Sequence, residues 1–276
     1  MVEAIEDLFV PVLVYNNKSS DSAVLAKFNE PSWNNPVVRF INSEGKDVIQ
    51  RKDGVWNVAP MATQMAAALK ASKREVPSYL SDLAIDTSNL EIATFAMSCY
   101  WTGEARLGGI DGVMSTTAGW GGGREVVRLT YDPEKVDYSK LVNTAQSFQC
   151  ASKVYTHSES QLKTAKALVG SRAESFSGTA RKAKLSDQKY QLRTIPGVRS
   201  LPLTTYQSTK INSLIRSPQR QEALELLSPR QIAMYRKISA EMDSSSGKSF
   251  DSFVFPDDDS KLGEYQARLA KHLMAK

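Results

Sequence analysis

The sequence predicts a mixed α/β (α+β) protein with a central β-α-β-β-α-β core, a smaller α/β unit before it and a mostly helical extension after it. Three observations support this. Between residues 91 and 176, short apolar runs alternate with helix-forming stretches. Glycine clusters separate neighbouring runs, which is typical of turns. The length of 276 residues suits two domains, or one domain with an extension.

Composition excludes several classes of protein. No apolar run is long enough to span a bilayer, so we expect no membrane span. The acidic segment 1–7 lacks the pattern of a signal peptide. Two cysteines, Cys99 and Cys150, are too few for a disulfide scaffold, which predicts a reducing compartment. That compartment is the cytoplasm, or an organelle where a leader has been removed.

The remaining composition points away from metals and nucleic acids. The two histidines, His157 and His272, lie far apart, and no cysteine or histidine has metal-ligand spacing, so no metal site is predicted. The net charge of +5 is modest, and the aromatic residues are not interleaved with lysine and arginine. We therefore expect no nucleic-acid partner.

The first unit, residues 1–75, reads as strand, helix, two strands joined by a turn, and helix. The predicted elements, in order, are 8–15, 22–29, 36–41, 47–51 and 61–71. This order resembles the thioredoxin fold. Where a thioredoxin carries its cysteine pair, this chain has Tyr15-Asn16-Asn17-Lys18-Ser19-Ser20. The sequence therefore predicts a thioredoxin-like domain without catalytic cysteines, in a structural or docking role.

After a linker at 76–90, residues 91–178 form the core domain. Its predicted elements are a strand at 91–97, a helix at 100–108, strands at 112–118 and 125–131, a helix at 139–148, a strand at 152–156 and a helix at 158–176. This is the ferredoxin-like arrangement. Right-handed crossovers place the third strand between the first two, and the fourth outside the first.

That topology brings three distant residues to one edge of the sheet. Cys99 follows the first strand, Glu125 begins the third, and Cys150 precedes the fourth. A cysteine between a strand and a helix suits a nucleophile, because amides at a helix N-terminus favour the thiolate. Taken alone, however, such a cysteine is more often a buried structural residue, here packed between rings, than a nucleophile.

The extension, residues 179–276, is basic and mostly helical. Helices are predicted at 204–216, at 229–238 and from about 260 to 274, with a spacer at 244–249. The stretch to Arg193 is polar and basic, and its charges are interpreted as solvated faces. We find no catalytic motif in the extension.

From Cys99 onward the chain has a run of residues at a characteristic spacing: Cys99-Tyr100-Trp101, Glu104, Gly112-Val113, Ser115-Thr116, Ala118-Gly119-Trp120-Gly121-Gly122, Glu125, Val127-Arg128 and Tyr131-Asp132-Pro133. In these positions the chain resembles the A-type peptide methionine sulfoxide reductase family, as a divergent member, over residues 92–167. The resemblance implies a core of this family's type for residues 91–178.

The resemblance also implies an activity and roles. Cys99 would attack the sulfoxide sulfur, Tyr100 and Trp101 would hold the substrate methyl group, and Glu125 would protonate the sulfoxide oxygen. The substrate would be methionine sulfoxide, free or in a peptide, which makes the chemistry a form of protein repair. No cofactor is implied beyond an external thiol reductant such as thioredoxin, which regenerates the redox-active cysteine.

The chain departs from the family pattern near the site. Ser98 stands for the family's glycine, and Thr102 follows the tryptophan. The segment 121–124 replaces a longer loop that carries a substrate-binding tyrosine. Cys150 falls near the position of a second tyrosine. It reads either as a resolving thiol for Cys99 or as a small residue that fills space.

Three functions follow from this reading. The sequence favours an enzyme, a thiol-based oxidoreductase that uses Cys99 and Glu125. One alternative is a catalytically degenerate reductase fold that serves as a binding or structural subunit of a larger assembly, with the extension contacting a protein partner. The other is a Cys99–Cys150 redox switch that acts on another substrate.

Overall fold

The computed structural model describes residues 1–178, 180–243 and 249–274. The chain forms two compact units, Met1–Thr87 and Ser88–Lys276. The predicted spacer at 244–249 lies almost wholly outside the described residues. No helix in the described parts of the chain is long and apolar enough to cross a membrane.

The first unit packs helices around a small core and one short β-ladder. Its elements are helices α1 (Val2–Leu8) and α2 (Ser22–Lys27), strands β1 (Val37–Val38) and β2 (Lys52–Asp53), and helices α3 (Val58–Ala71) and α4 (Ser78–Leu83). β1 and β2 pair antiparallel, and an isolated bridge joins Ile41 to Asp47. The helical core includes Ala62, Met65 and Leu80.

The strand predicted over residues 8–15 is wrong. Residues 2–8 are helical, and the apolar segment that follows is largely exposed, with Val10 at 89% and Leu13 at 74%. Pro11 has no backbone N–H to donate to a β-ladder. A strand also needs a second strand to pair with, and composition does not reveal whether one is present. β1 covers two residues of the strand predicted at 36–41, and β2 lies just after the strand predicted at 47–51, where Asp47 forms the isolated bridge with Ile41. The thioredoxin-like assignment is not confirmed.

The second unit begins with the predicted core and continues into the extension. Its elements are β3 (Glu91–Met97), α5 (Tyr100–Gly108), β4 (Val113–Gly121), β5 (Arg124–Tyr131), α6 (Tyr138–Ser147), β6 (Lys153–Thr156), α7 (Glu159–Val169), β7 (Ala173–Ser175), β8 (Arg181–Lys182), α8 (Tyr190–Arg193), α9 (Thr205–Leu214), α10 (Glu222–Glu225), α11 (Pro229–Asp243) and α12 (Leu262–Met274). α4 lies within the stretch 76–90, and the four-part division of the chain stays a prediction.

The sheet confirms the mixed α/β core. Its strand order is β7-β6-β3-β5-β4-β8. β5 lies between β3 and β4, β6 lies on the other side of β3, and both neighbours of β3 run antiparallel to it. Two short edge strands, β7 and β8, add to the predicted four.

The helix predicted over 158–176 is too long. α7 ends at Val169, where Gly170 takes a positive φ of 58°. That conformation is readily adopted by glycine and stops a helix. The chain then returns as β7, parallel to β6. The stretch predicted as one helix is therefore divided between a helix and an edge strand, because periodicity alone does not mark where a helix ends.

The basic start of the extension is not simply a solvated face. Lys189 is fully buried and Arg193 is 7% exposed. Lys189 Nζ lies 3.3 Å from a carboxylate oxygen of Glu104 on α5 and 3.1 Å from one of Asp257. Buried charges are tolerated when they are paired, and these partners are 85 and 68 residues away, so composition could not reveal them.

Candidate functional site

The β-ladders bring three predicted site residues to one edge of the sheet. Met97, at the end of β3, pairs with Glu125 on β5. On the other side of β3, Ala96 pairs with Lys153 of β6, three residues after Cys150. Cys99 leaves the same end of β3. The convergence expected from the topology is therefore present.

Cys99 occupies the N-cap of α5 in an extended conformation, with φ −149° and ψ 111°. It is half-buried and is a free thiol. The position sets its side chain just before the first turn of the helix. The helix can lie close to the sheet because residue 103 is glycine: a Cβ there would meet Met97 Sδ at 1.9 Å.

Glu125 is tied to the residue that follows Cys99. The backbone N–H of Tyr100 donates to Glu125 Oε2 over 2.7 Å. The other oxygen, Oε1, makes no hydrogen bond within the described residues. The carboxyl group therefore stands at the opening turn of α5, one residue from the thiol, with one oxygen held and one available.

A tight hairpin sets the neighbour of Glu125. β4 and β5 are joined through Gly122 and Gly123, with φ values of 56° and 71°. Two consecutive positive φ angles are typical of a two-residue hairpin turn. A Cβ on Gly122 would also lie 2.2 Å from the hydroxyl of Tyr155. The short turn places Trp120 directly opposite Glu125.

Aromatic rings surround the start of α5. The Tyr100 ring meets the rings of Trp101 and Trp120 edge to face, with centroids 6.2 Å and 5.9 Å apart. The indole of Trp101 stacks on Tyr190 at 3.9 Å with planes 10° apart. Such pairs add to the stability gained from burial and fix ring orientation. They give the site an apolar wall.

The extension supplies two residues that the sequence did not single out, Asp187 and Tyr190. The pKa of the Tyr100 hydroxyl is raised by burial first, and then by the charge of Asp187. Glu125 contributes a smaller electrostatic rise. No local signal marks either residue, since both belong to a polar stretch about 90 residues after Cys99.

Lys189 holds these two residues in place. Its backbone N–H donates to Glu104 Oε2 over 2.6 Å, and Glu104 is itself fully buried. The second oxygen of Glu104 accepts from the Thr116 hydroxyl over 3.1 Å. Glu104 belongs to the same helix as Cys99. The extension is therefore anchored on α5 through the buried ion pair between Lys189 and Glu104. Lys189 lies between Asp187 and Tyr190 in the sequence.

Cys150 is buried, at 3% exposure, and its Sγ lies 3.4 Å from the carbonyl oxygen of Phe148. Burial raises the pKa of the Cys150 thiol, the Arg106 guanidinium opposes the rise, and Cys99 adds to it. Both cysteines are free thiols. Cys150 is better shielded from solvent than Cys99.

No metal site accompanies these groups. Across the described ranges, no set of three or more histidine, cysteine, aspartate or glutamate side chains could hold a metal ion. The chemistry available to the arrangement is that of a half-exposed thiol, a carboxyl group, an aromatic wall and a second, buried thiol.

Comparisons with known proteins point to one family. No protein-family model matches the chain. The peptide methionine sulfoxide reductase MsrA of Pseudomonas syringae pv. tomato is 30% identical over 183 residues, covering 51% of this chain and 81% of that protein. The MsrA of Pseudomonas savastanoi pv. phaseolicola gives the same identity and coverage. Peptide methionine sulfoxide reductase A5 of Arabidopsis thaliana is 30% identical over 95 residues, 29% of this chain and 37% of that protein. The chain therefore belongs to the MsrA-type peptide methionine sulfoxide reductase family.

Proposed function

We propose that the protein is a thiol-dependent methionine sulfoxide reductase, with Cys99 as nucleophile and Glu125 as acid. The 2.7 Å hydrogen bond from the Tyr100 N–H to Glu125 carries the proposal, because it fixes the carboxyl group one residue from the thiol. Membership of the family supplies the reaction class, since its named relatives reduce peptide methionine sulfoxide.

The first step transfers oxygen from substrate to enzyme. Cys99 Sγ attacks the sulfoxide sulfur, and Glu125 gives a proton to the sulfoxide oxygen, which weakens the sulfur–oxygen bond. The sulfide leaves and the oxygen remains on Cys99 as a sulfenic acid. Overall, one thiol and one sulfoxide become one sulfenic acid and one sulfide, so the substrate is reduced by two electrons and Cys99 is oxidised by two.

The second step resolves the sulfenic acid. Cys150 attacks Cys99, a disulfide forms, and water leaves. An external dithiol, such as a thioredoxin, then reduces the disulfide and is itself oxidised. Cys150 precedes β6, which pairs with β3, and therefore lies at the same edge of the sheet as Cys99, which supports this role. No metal or organic cofactor takes part in this scheme.

The aromatic wall suits the methyl group of methionine sulfoxide. Tyr100 and Trp101 hold the apolar side of the substrate, and Trp120, opposite Glu125, extends the same wall. Tyr190 fixes the plane of Trp101. The substrate is methionine sulfoxide, free or in a peptide, and the reduced thiols require a reducing compartment.

The test compares wild type with Cys99→Ser in a reductase assay. Both are incubated with dithiothreitol and an S-sulfoxide substrate, once free and once in a peptide, and the methionine formed is quantified. Wild type should turn over, and Cys99→Ser should lose about a thousandfold or more, because the oxygen of serine is a far poorer nucleophile here. Absence of turnover by wild type on both substrates would contradict the proposal.

A second candidate is a binding or structural subunit on a reductase fold that has lost activity. The stacking of Tyr190 on Trp101 favours it, because the extension then covers one face of the ring assigned to the substrate. This candidate predicts no turnover, together with capture of a defined partner through the extension. A monomer that captures no partner and reduces sulfoxide would argue against it.

The placement of Cys99 and Cys150 at one edge of the sheet also suits a redox switch that acts on another substrate. Mild peroxide followed by mass spectrometry should then yield an intramolecular disulfide even when no sulfoxide is reduced. Peroxide treatment that leaves the two cysteines unlinked would dismiss both this candidate and the resolving role of Cys150.

A further inference from the structure

A groove of about 790 Å³ runs along α5 in the second unit. α6 forms one side, and the other is formed by the extension, through α8, α9 and the segment after α9. Its apolar lining includes Ala105, Ile110, Phe148 and Leu214. The proposed reaction assigns none of the groove residues a role in chemistry.

Two residues of the groove lining each carry a buried amide atom that has no hydrogen-bond partner among the described residues. Asn212 is 1% exposed, and its Nδ2 has no hydrogen-bond partner among the described residues. Its Oδ1 accepts from the backbone N–H of Leu192 over 3.0 Å, so its orientation is fixed. Gln191, the residue before Leu192, has a buried Oε1 that also lacks a hydrogen-bond partner among the described residues. Both residues line the groove.

Buried polar groups are normally satisfied, so such a pair calls for an explanation. The donor belongs to Asn212 and the acceptor to Gln191, and Asn212 is bonded to Leu192, the residue after Gln191. One donor and one acceptor complement a peptide group, which offers one carbonyl oxygen and one N–H. Polypeptide is therefore a chemical match for this end of the groove.

The charge of the groove indicates which kind of polypeptide it would attract. Arg106, Lys140 and Arg216 line it, against one carboxylate, Asp111. Lys140 and Arg216 are exposed and able to meet an incoming chain. An excess of positive charge attracts acidic side chains and raises the rate of encounter.

The groove also begins beside the candidate site. Thr102, one turn along α5 from Cys99, belongs to its lining. Arg106, one turn further, donates to the carbonyl oxygen of Phe148 over 2.8 Å, and that residue in turn contacts Cys150 Sγ. A chain lying in the groove would therefore pass close to both thiols.

We propose that this groove binds an extended acidic polypeptide segment, the part of a protein substrate that flanks the oxidised methionine. The assignment of substrate rests on the proposed function. The binding itself does not, since it needs neither thiol chemistry nor a sulfoxide.

The experiment measures binding of two fluorescent decapeptides by anisotropy to the full-length protein. Both carry one unoxidised methionine, flanked by aspartate and glutamate in one peptide and by lysine in the other. Wild type should bind the acidic peptide about tenfold more tightly, and added salt should weaken that binding, because the attraction is largely electrostatic.

Variants locate the binding. The double charge reversal Lys140→Glu with Arg216→Glu should weaken binding of the acidic peptide about tenfold. The matched control reverses two exposed lysines on α7, Lys163→Glu with Lys166→Glu. Its affinity for the acidic peptide should stay within about twofold of wild type, although the two double variants have the same net charge. Gln191→Leu removes the unpaired acceptor and should weaken binding of both peptides about fivefold, which corresponds to the loss of one hydrogen bond.

Equal affinity for the two peptides would overturn the proposal, and so would equal losses in the two double reversals. If the acidic peptide binds as expected but wild type reduces no sulfoxide, the groove assignment stands and the proposed function fails. If wild type reduces free sulfoxide but binds neither peptide, the groove assignment fails and the proposed function stands.

Discussion

The backbone N–H of Tyr100 donates a 2.7 Å hydrogen bond to Oε2 of Glu125, joining the first turn of α5 to the first residues of β5. The bond depends on the antiparallel register that sets Glu125 beside Met97. It orients a carboxyl group toward the residue that follows Cys99.

Replacing Glu125 with glutamine should lower kcat/KM for methionine sulfoxide by about a hundredfold, since general acids contribute 10²- to 10⁴-fold. Glutamine keeps a carbonyl oxygen for the Tyr100 N–H, so the fold should be unchanged, but it has no carboxyl proton to give. Steady-state kinetics with dithiothreitol measure the effect. The exposed Glu134→Gln serves as the control, and an equal loss in both variants would refute an acid role for Glu125.

Formation of the Cys99–Cys150 disulfide should accelerate with pH well into the alkaline range. Burial raises the pKa of Cys150, so its thiol stays neutral to higher pH than an ordinary cysteine of pKa about 8.5. Because the thiolate is the attacking form, the rate should still be rising above that value. After one turnover with sulfoxide, the protein is alkylated across a pH series and the disulfide is quantified by mass spectrometry.

The charge of Arg106 provides the control for this pH profile. Its guanidinium lowers the pKa of Cys150, against the larger effect of burial. Arg106→Leu should therefore move the inflection to still higher pH, while Arg106→Lys should leave it nearly in place. A profile that levels off near neutral pH in wild type would contradict the assignment of Cys150 as the buried attacking thiol.

Tyr190→Ala should raise KM for sulfoxide about threefold to tenfold and change kcat little, since an aromatic pair is worth about 0.5–1.5 kcal/mol and orients a substrate wall. Tyr190→Phe retains the ring and should behave like wild type. Near-ultraviolet circular dichroism reports whether the stack on Trp101 is lost. Higher activity in Tyr190→Ala would mean that Tyr190 occludes the site, in favour of the binding-subunit candidate.

Lys189→Met should destabilise the second unit by about 3–5 kcal/mol, because it leaves the buried carboxylates of Glu104 and Asp257 without their shared cation. Thermal unfolding should show a lower Tm. Lys182 also pairs with Asp257, at 3.2 Å, but its side chain is half exposed. Lys182→Met should therefore cost less than about 1 kcal/mol. Similar losses in the two variants would refute a special role for the buried pair.

Local sequence patterns predicted most elements of the core of this protein. The apolar runs and glycine turns predicted β3, α5, β5 and β6 to within one or two residues, because each is a buried strand or amphipathic helix with clear stops. The handedness of crossovers then determined the strand order and the convergence of Cys99, Glu125 and Cys150. The first unit was less readable, because its exposed apolar segment has the composition of a strand but not the pairing of one.

The sequence by itself determined the strand order of the core, the family and the set of residues at the start of α5, since these follow from local periodicity, chain handedness and a run of matching residues. Only the tertiary structure decided what surrounds Cys99. Asp187 and Tyr190 reach its neighbouring rings because Lys189 is buried against Glu104. That ion pair joins segments 85 residues apart, and no local pattern of charge or apolarity encodes such a contact.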